Sequence, residues 1–502
     1  WNPLDNFLPG AAVETRNRIG TFSTFYLEAT LAKGLKYKFN GGAEIRSDVY
    51  GNFYARATTN NLGVSSSAAN ENTLSTSYTL ENLLIYDKTI ADKHKINFTG
   101  LYSFQQYTPQ YTAFSYTNLL SDQAQYFNPA LGSNYQGKGT LNPWAITSYM
   151  GRLNYGYNDK YLLTLTMRSD GSSRLAPGNK YHIFPSAAVA WNVMKESFFS
   201  NVSNNISSLR IRGSYGSVGN PAIDPYATLG SLTTQVYNYG STVTTGLYPN
   251  SVPNPTLDWE YTSTANIGVD FGFFQNRISG SVEAYHSYTK NMIMPVTLPG
   301  TSGIPNQILT NIGKSENKGI EIHISTVNIQ SRSAHGVTWT SDFNFFINRG
   351  QITQLLPSIT TTLDGKTADI ANKWFVGQPI GSFYDYQRIG IWQATSKDSA
   401  DAKALNQTVT GTKSVIGQVR VADRNGNNTI DAGDQYIVGS PQPKWEGGTT
   451  QRIAYRNFDF TVVAFARVGG MISSTLFGGG FTNTLQANYN NVNVNYWTPN
   501  NP

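Results

Sequence analysis

Apolar and polar residues alternate along this chain over stretches of ten or so positions. From Ala265 to Phe273 the odd positions are Ala, Ile, Val, Phe and Phe, and the even ones Asn, Gly, Asp and Gly. Such period-two spacing predicts strands with one greasy and one wet face. Phe458–Arg467 and Ile320–Ser325 read the same way. Further strands are predicted near 16–31, 34–46, 74–88, 94–107, 145–157, 161–170, 183–194, 208–217, 277–290, 336–348, 380–392 and 444–455, about fifteen in all.

The connections alternate too. Tyr157-Asn158-Asp159-Lys160, Gln275-Asn276 and Arg456-Asn457 are short turns built on residues that tolerate turn dihedrals. Between such hairpins lie long segments rich in Tyr, Asn, Ser, Thr and Gly, at 107–144, 218–256, 291–312 and 350–379. Short turns at one end and long loops at the other are the layout of an outer-membrane barrel. Soluble sandwiches place shorter strands at closer spacing. Aromatics flank the short turns: Tyr155, Tyr157 and Tyr161; Phe271, Phe273 and Phe274; Tyr455, Phe458 and Phe460. Tyr and Phe favour the height at which a wall crosses lipid headgroups. Ordinary cross-strand packing is the plainer reading of the same residues.

Composition narrows the classes. Of 502 residues only 14% are charged, 13% are aromatic and none is Cys, with a net charge of +6. Disulfide scaffolds, Cys-zinc sites and Cys nucleophiles are excluded. Apolar runs fall far short of the roughly 20 residues a membrane helix needs. Lys and Arg are scattered, which argues against a nucleic-acid partner. Trp1-Asn2-Pro3-Leu4-Asp5 has no signal-peptide character, so the chain is expected to start inside a longer polypeptide.

Candidate chemistry is sparse. The five histidines, His94, His182, His286, His323 and His335, form no His-Glu-x-x-His pair, and there is no Gly-x-Ser-x-Gly elbow. His286 and His323 read as wall or lumen residues, and no enzyme activity is expected. Gly132–Gly139 nearly matches a phosphate loop, but Gly139 stands where Ser or Thr should hold magnesium. One loop has calcium-binding spacing. Asp423, Asn425, Asn427, Thr429, Asp431 and Asp434 fall at positions one, three, five, seven, nine and twelve. Asn428 replaces the usual Gly and Asp434 the longer Glu, so weak Ca²⁺ binding and an ion-free Asx-rich turn are both open. The Tyr- and amide-rich long segments, such as Gln105–Tyr126 and Gln235–Tyr239, are where a neutral ligand would be met. No single substrate-binding residue stands out.

Five stretches, in order, carry a resemblance. They are Arg168–Arg174 with Phe184–Trp191 and Glu196–Phe199; Leu209–Gly216 with Gly219-Asn220; Asn254–Glu260; Asn311–Gly313 with Asn317–Glu321; and Asp423–Asp431 with Gly439–Lys444. Together they resemble the SusC/RagA group of TonB-dependent transporters. The resemblance implies an all-β, antiparallel transmembrane barrel of about 22 strands with a plugged lumen. Residues 1–502 would be part of that barrel, with the plug, the N-terminal regions and the last strands lying outside this chain. The family's role is active import across the outer membrane, driven through a TonB-ExbB-ExbD complex. It implies a SusD-like surface lipoprotein, often as a dimer of transporter–lipoprotein pairs, and an oligosaccharide or, less often, a peptide as cargo. The alternative is a surface glycan-binding, adhesin-like β-protein without transport.

Overall fold

The computed structural model describes residues 2–199, 205–296, 298, 300–304, 308–331, 336–356, 361–363, 365–474 and 497–498. The chain divides into two compact units. One comprises Trp1–Val269 and Thr289–Ile312, the other Asp270–Tyr288 and Gly313–Pro502.

The first unit opens with four long strands: β1 (Ala12–Ala32), β2 (Leu35–Tyr54), β3 (Ser67–Ile90) and β4 (His94–Thr117). After a short β5 (Ser133–Leu141) come β6 (Trp144–Tyr157), β7 (Tyr161–Ser172), β8 (Tyr181–Asn192) and β9 (Ile206–Asn220). Each is antiparallel to the next in the order β1-β2-β3-β4-β6-β7-β8-β9, and β5 pairs with the far end of β4. A separate hairpin follows, β10 (Ser231–Tyr239) with β11 (Thr242–Ser251). Then β12 (Glu260–Phe273), β13 (Ile278–Val296) and β14 (Ile308–Ile329) pass through both units.

Register carries the alternation across strands. Leu153 of β6 sits opposite Phe98 of β4 and Leu165 of β7, and Leu165 sits opposite Ala187 of β8. This apolar row faces away from the polar one: Ile45, Leu165, Val189 and Tyr215 are all exposed. The polar row runs through Arg16, Arg18, Asp48, Arg152 and Arg168. There Asp48 accepts from Arg16 at 2.7 Å and from Arg18 at 2.9 Å. A sheet whose apolar side is left uncovered is a wall made for a nonaqueous solvent, because a soluble protein would bury it.

Turn chemistry explains the short ends. Asn158 and Asp159 take φ of 51° and 55°, and Lys160 N–H donates to the Tyr157 carbonyl at 2.9 Å. Two left-handed residues in succession match the twist of the flanking strands. Gly34, at φ 78°, does the same work between β1 and β2, where a Cβ would strike the Asp87 carbonyl. At the opposite end two buried clusters anchor the long connections. Phe53, Ala68, Tyr116, Leu119 and Tyr126 form one; Leu175, Phe184, Ile223, Leu257 and Trp259 form the other. Trp259 also donates its indole N–H to the Lys180 carbonyl at 3.1 Å, so its polar edge is satisfied.

The second unit continues with β15 (Val337–Gln354). A long insertion then holds β16 (Thr361–Leu363), β17 (Lys366–Asp369), β18 (Trp374–Phe375), β19 (Phe383–Tyr386), β20 (Arg388–Ile391), helix α1 (Ser396–Ala404), β21 (Val419–Val421) and β22 (Gln435–Gly439). The wall resumes with β23 (Trp445–Tyr455) and β24 (Phe458–Val468). Its apolar row pairs Ile320, Ile322 and Ile324 with Ile347, Phe345 and Phe343. Toward the short turn, Ile453 sits opposite Trp339 and Phe460, and Tyr455 opposite Val337 and Phe458. The alternate row holds His323, Asp342, Glu446, Arg452 and Arg467, with ion pairs Arg452–Asp342 at 2.5 Å and Arg467–Glu446 at 3.0 Å.

One predicted strand is corrected. Residues 380–392 are two four-residue strands in the insertion, β19 paired with β22 and β20 with β21. Gly381, at φ 82°, and the break at Gln387 prevent a continuous ladder. Two loops are also more regular than expected. Thr108–Thr117 extends β4 beyond β6, and Gln235–Tyr239 belongs to β10. No helix among the described residues is long and apolar enough to cross a membrane, which says nothing of a β-barrel.

Candidate functional site at the long-connection end

The long connections gather aromatic, amide and aliphatic side chains. On β10–β11 the alternation sorts two faces. Leu232, Val236, Val243 and Leu247 share one, each 60–68% exposed, and Tyr237, Tyr239 and Tyr248 share the other. Ser231 and Ser251 clasp the base through their hydroxyls at 3.0 Å. Tyr237 and Tyr239 are exposed as well, so both faces present open surface, and an isolated two-stranded hairpin of this kind is marginal in water. Beside β4, Tyr135 donates to the Gly132 carbonyl at 2.6 Å, and Lys138 lies 6.0 Å from the Tyr111 ring. The near-match to a phosphate loop is thus strand β5, with no helix N-terminus after it.

On the polar row of β6–β9 a groove of about 580 Å³ is lined by Arg152, Thr164, Arg168, Asp170, Ser186 and Ser214 among others. Arg168 Nε donates to both Asp170 oxygens at 2.7 and 2.9 Å, and Arg152 Nε donates to Thr166 at 3.2 Å. The cations are already partnered, leaving a hydroxyl-lined surface with little net charge.

The histidines are dispersed. His94 meets Tyr155 at 2.8 Å, His182 meets Tyr261 at 3.0 Å, His286 meets Glu316 at 3.1 Å and His323 meets Ser325 at 3.4 Å. His335 lies outside the described residues. Among the described residues no group of three His, Asp or Glu could hold a metal ion.

The calcium-spaced residues do come together, as a self-bonded loop. Asp423 accepts from the amides of Gly426 and Asn428 at 2.7 and 2.9 Å. Asn425 and Asn427 each accept from the amide two residues on, at 2.9 and 2.8 Å, so Thr429 is held through its own N–H. Asp431 caps a short turn by accepting from Gly433 at 2.7 Å. Asp434 is fully buried and accepts from the amides of Arg424, Asn425 and Asp431. These donors, led by the Asp431 amide, hold its carboxyl below the usual range despite burial. Asn428 takes φ 61°, the left-handed conformation Gly has in calcium loops. The carboxylates are therefore spent on backbone amides, and the loop closes through its own Asx turns.

A charge cluster at the short-turn end went unread in the sequence. Asp159 pairs with Lys95 at 2.7 Å and Lys195 at 3.4 Å. Glu196 accepts from Tyr161 at 2.6 Å, Lys160 at 3.1 Å and Trp191 at 3.1 Å. The Tyr161 hydroxyl first, then the Lys160 ammonium and Trp191 indole, hold the Glu196 carboxyl below its ordinary value. The Asp159 and Lys195 partners lie 36 positions apart in the chain, so no local spacing signals them.

The family model described as "TonB dependent receptor-like, beta-barrel" matches residues 2–492. TonB-dependent receptor P3 of Formosa agariphila is 32% identical over 487 residues, 95% of this chain and 47% of that protein. TonB-dependent receptor SusC of Bacteroides thetaiotaomicron is 33% identical over 329 residues, 63% of this chain and 30% of that protein. The chain thus spans about half the length of curated relatives such as receptor P3, or less. Among solved structures, the RagAB peptide transporter aligns with a TM-score of 0.75 at 21% identity, covering 91% of this chain and 48% of that one. The uncovered apolar row is thereby explained as a lipid-facing one, and the chain belongs to the TonB-dependent receptor β-barrel family of the outer membrane.

Proposed function

We propose that the intact protein imports a nutrient across the outer membrane, with energy delivered through a TonB-ExbB-ExbD complex. The observation that carries this reading is the two-rowed wall, apolar on one side and hydroxyl-rich on the other, in a chain of this family. From β2 to β23 each wall strand is hydrogen-bonded to a neighbour on both sides, as hydrocarbon demands. The cargo is an oligosaccharide or, by analogy with the RagAB peptide transporter, a peptide. Hydroxyl and amide groups on the long connections and in the β6–β9 groove, whose arginines are already partnered, support an uncharged ligand. A SusD-like lipoprotein would cover the long-connection end, and the two-faced β10–β11 hairpin is a surface suited to it. The Asp423–Asp434 loop serves as a structural clasp, and calcium titration of the intact protein with and without Asp423→Ala decides whether it also takes the ion.

The test is uptake of fluorescent oligosaccharides and oligopeptides by cells carrying the full-length gene, a gene deletion, or a TonB deletion. Import lost in both deletions supports the proposal. Surface binding that persists without TonB and never leads to internal label would make the protein a glycan-binding adhesin.

A further inference from the structure

On the lipid side of the first unit, a groove of about 500 Å³ interrupts the wall between β4 and β9. Its lining is almost wholly apolar and includes Phe98, Leu153, Leu165, Met167, Ala187 and Tyr215. The depression has a sequence cause. Gly100 and Gly151 sit directly opposite each other on β4 and β6, and both belong to the outward row. Ala187 continues the small residues on β8, opposite Leu165 and Tyr215. Large side chains stand around them. A Cβ at Gly100 would lie 3.7 Å from the Phe98 ring, and Tyr102 and Tyr149 pack at 5.3 Å one row above. A Cβ at Gly151 would meet nothing within 4 Å, so the floor is open space.

We propose that this groove is a binding site for one acyl chain of a glycerophospholipid in the leaflet on the short-turn side. The inference rests on the outer-membrane placement of the wall, because the groove is continuous with the lipid-facing row. Its height is within reach of a chain from that leaflet. Gly151 and Leu153 lie six and four residues from Tyr157, the end of β6. At about 3.3 Å per residue and a tilt of about 40°, that is roughly 10–15 Å above the short turns, around the middle of an apolar band roughly 25 Å tall, where the terminal half of an acyl chain from the short-turn side lies. A flat wall offers an acyl chain contact on one side only; a groove contacts it on three, and dispersion adds with each contact. A chain held this way would exchange more slowly than its neighbours.

The full-length protein in vesicles of phosphatidylethanolamine and phosphatidylglycerol, with a trace of phosphatidylethanolamine carrying a photoreactive diazirine near the acyl terminus, tests this. Peptide mapping after illumination should find Leu153, Leu165 and Met167 labelled at least fivefold over Phe343 and Val462, exposed residues of the outward row at matching distances from their strand ends and outside this groove. Gly151→Leu should reduce that labelling to the level of Phe343. Heat-modifiable migration in SDS reports that the variant still folds, and the contrast within the unmodified protein decides without it. Even labelling along both rows would overturn the site, as would labelling unchanged by a folded Gly151→Leu variant. Preferential labelling by a lipid A probe in the opposite leaflet would overturn the leaflet assignment. Cross-linking of these residues to a second polypeptide would make the groove a protein interface instead. None of these outcomes touches import itself, which the TonB-deletion experiment reads.

Discussion

At the residue scale, the carboxylates of the Asp423–Asp434 loop serve as acceptors that close turns. Asp434 is the sharpest case, a buried carboxyl with three amide donors. Removing it in Asp434→Ala leaves those donors without a partner, at about 1–3 kcal/mol for an unsatisfied buried group. Hydrogen exchange at Arg424, Asn425 and Asp431 should then accelerate roughly tenfold or more. Asp434→Asn, which keeps one acceptor oxygen, should accelerate it less. Glu196 gives a pH signature. Its folded pKa lies below its ordinary value, so its contacts contribute fully above the unfolded carboxylate pKa of roughly 4 and fade as pH falls through the lower folded value. The stability difference between the unmodified protein and Glu196→Gln should therefore be constant near neutrality and vanish only in acid. Thermal unfolding across pH measures it, and a difference that disappears already near pH 6 would contradict the assignment.

At the element scale, adjacent positions on one strand live in opposite solvents. Arg152 points to the polar row and bonds Thr166, while Leu153 beside it faces lipid. Leu153→Arg should cost about 2–4 kcal/mol, the price of a cation in the middle of a barrel's lipid face. Thr164→Arg, on the polar row, should cost far less, and urea unfolding in bilayers compares the two. Turns are as specific. Asn158→Val places a branched residue at φ 51° and should cost about 1–2 kcal/mol. The wall was legible in the sequence because lipid on one side and polar groups on the other enforce a strict period of two. The short turns were legible because only a few residue types tolerate their dihedrals. The far end of β4 was not. Where Thr108–Thr117 rises past β6 and pairs with β5, the sorting by solvent that drives alternation fades. The 380–392 stretch misled for the converse reason: Phe383, Tyr384, Ile389 and Ile391 serve a small insertion, so their alternation extends no wall. The Asx loop was visible in its spacing, but the amides that occupy its oxygens are fixed only by the fold.

At the scale of the whole molecule, the division of labour follows from the two ends. Short turns with ion pairs, such as Asp159 with Lys95 and Lys195, tie neighbouring strands together. Long connections carry additional structure, the β10–β11 hairpin and the insertion between β15 and β23. Deleting residues 231–251 should leave membrane insertion intact while weakening capture of the proposed lipoprotein partner in pull-downs from the outer membrane. Loss of insertion on that deletion would show that the hairpin is part of the wall's own folding.

The central claim is that one row meets hydrocarbon and the next does not. Spin labels placed singly along β7, at Leu162 through Met167 of the full-length protein in bilayers, test it most directly. Collisions with oxygen should rise at Leu163, Leu165 and Met167, and collisions with a water-soluble nickel chelate should not. Labels at Leu162, Thr164 and Thr166 should lack the oxygen maximum. Nickel access at Leu165 equal to that at an exposed loop site, or no alternation along the strand, would contradict the account.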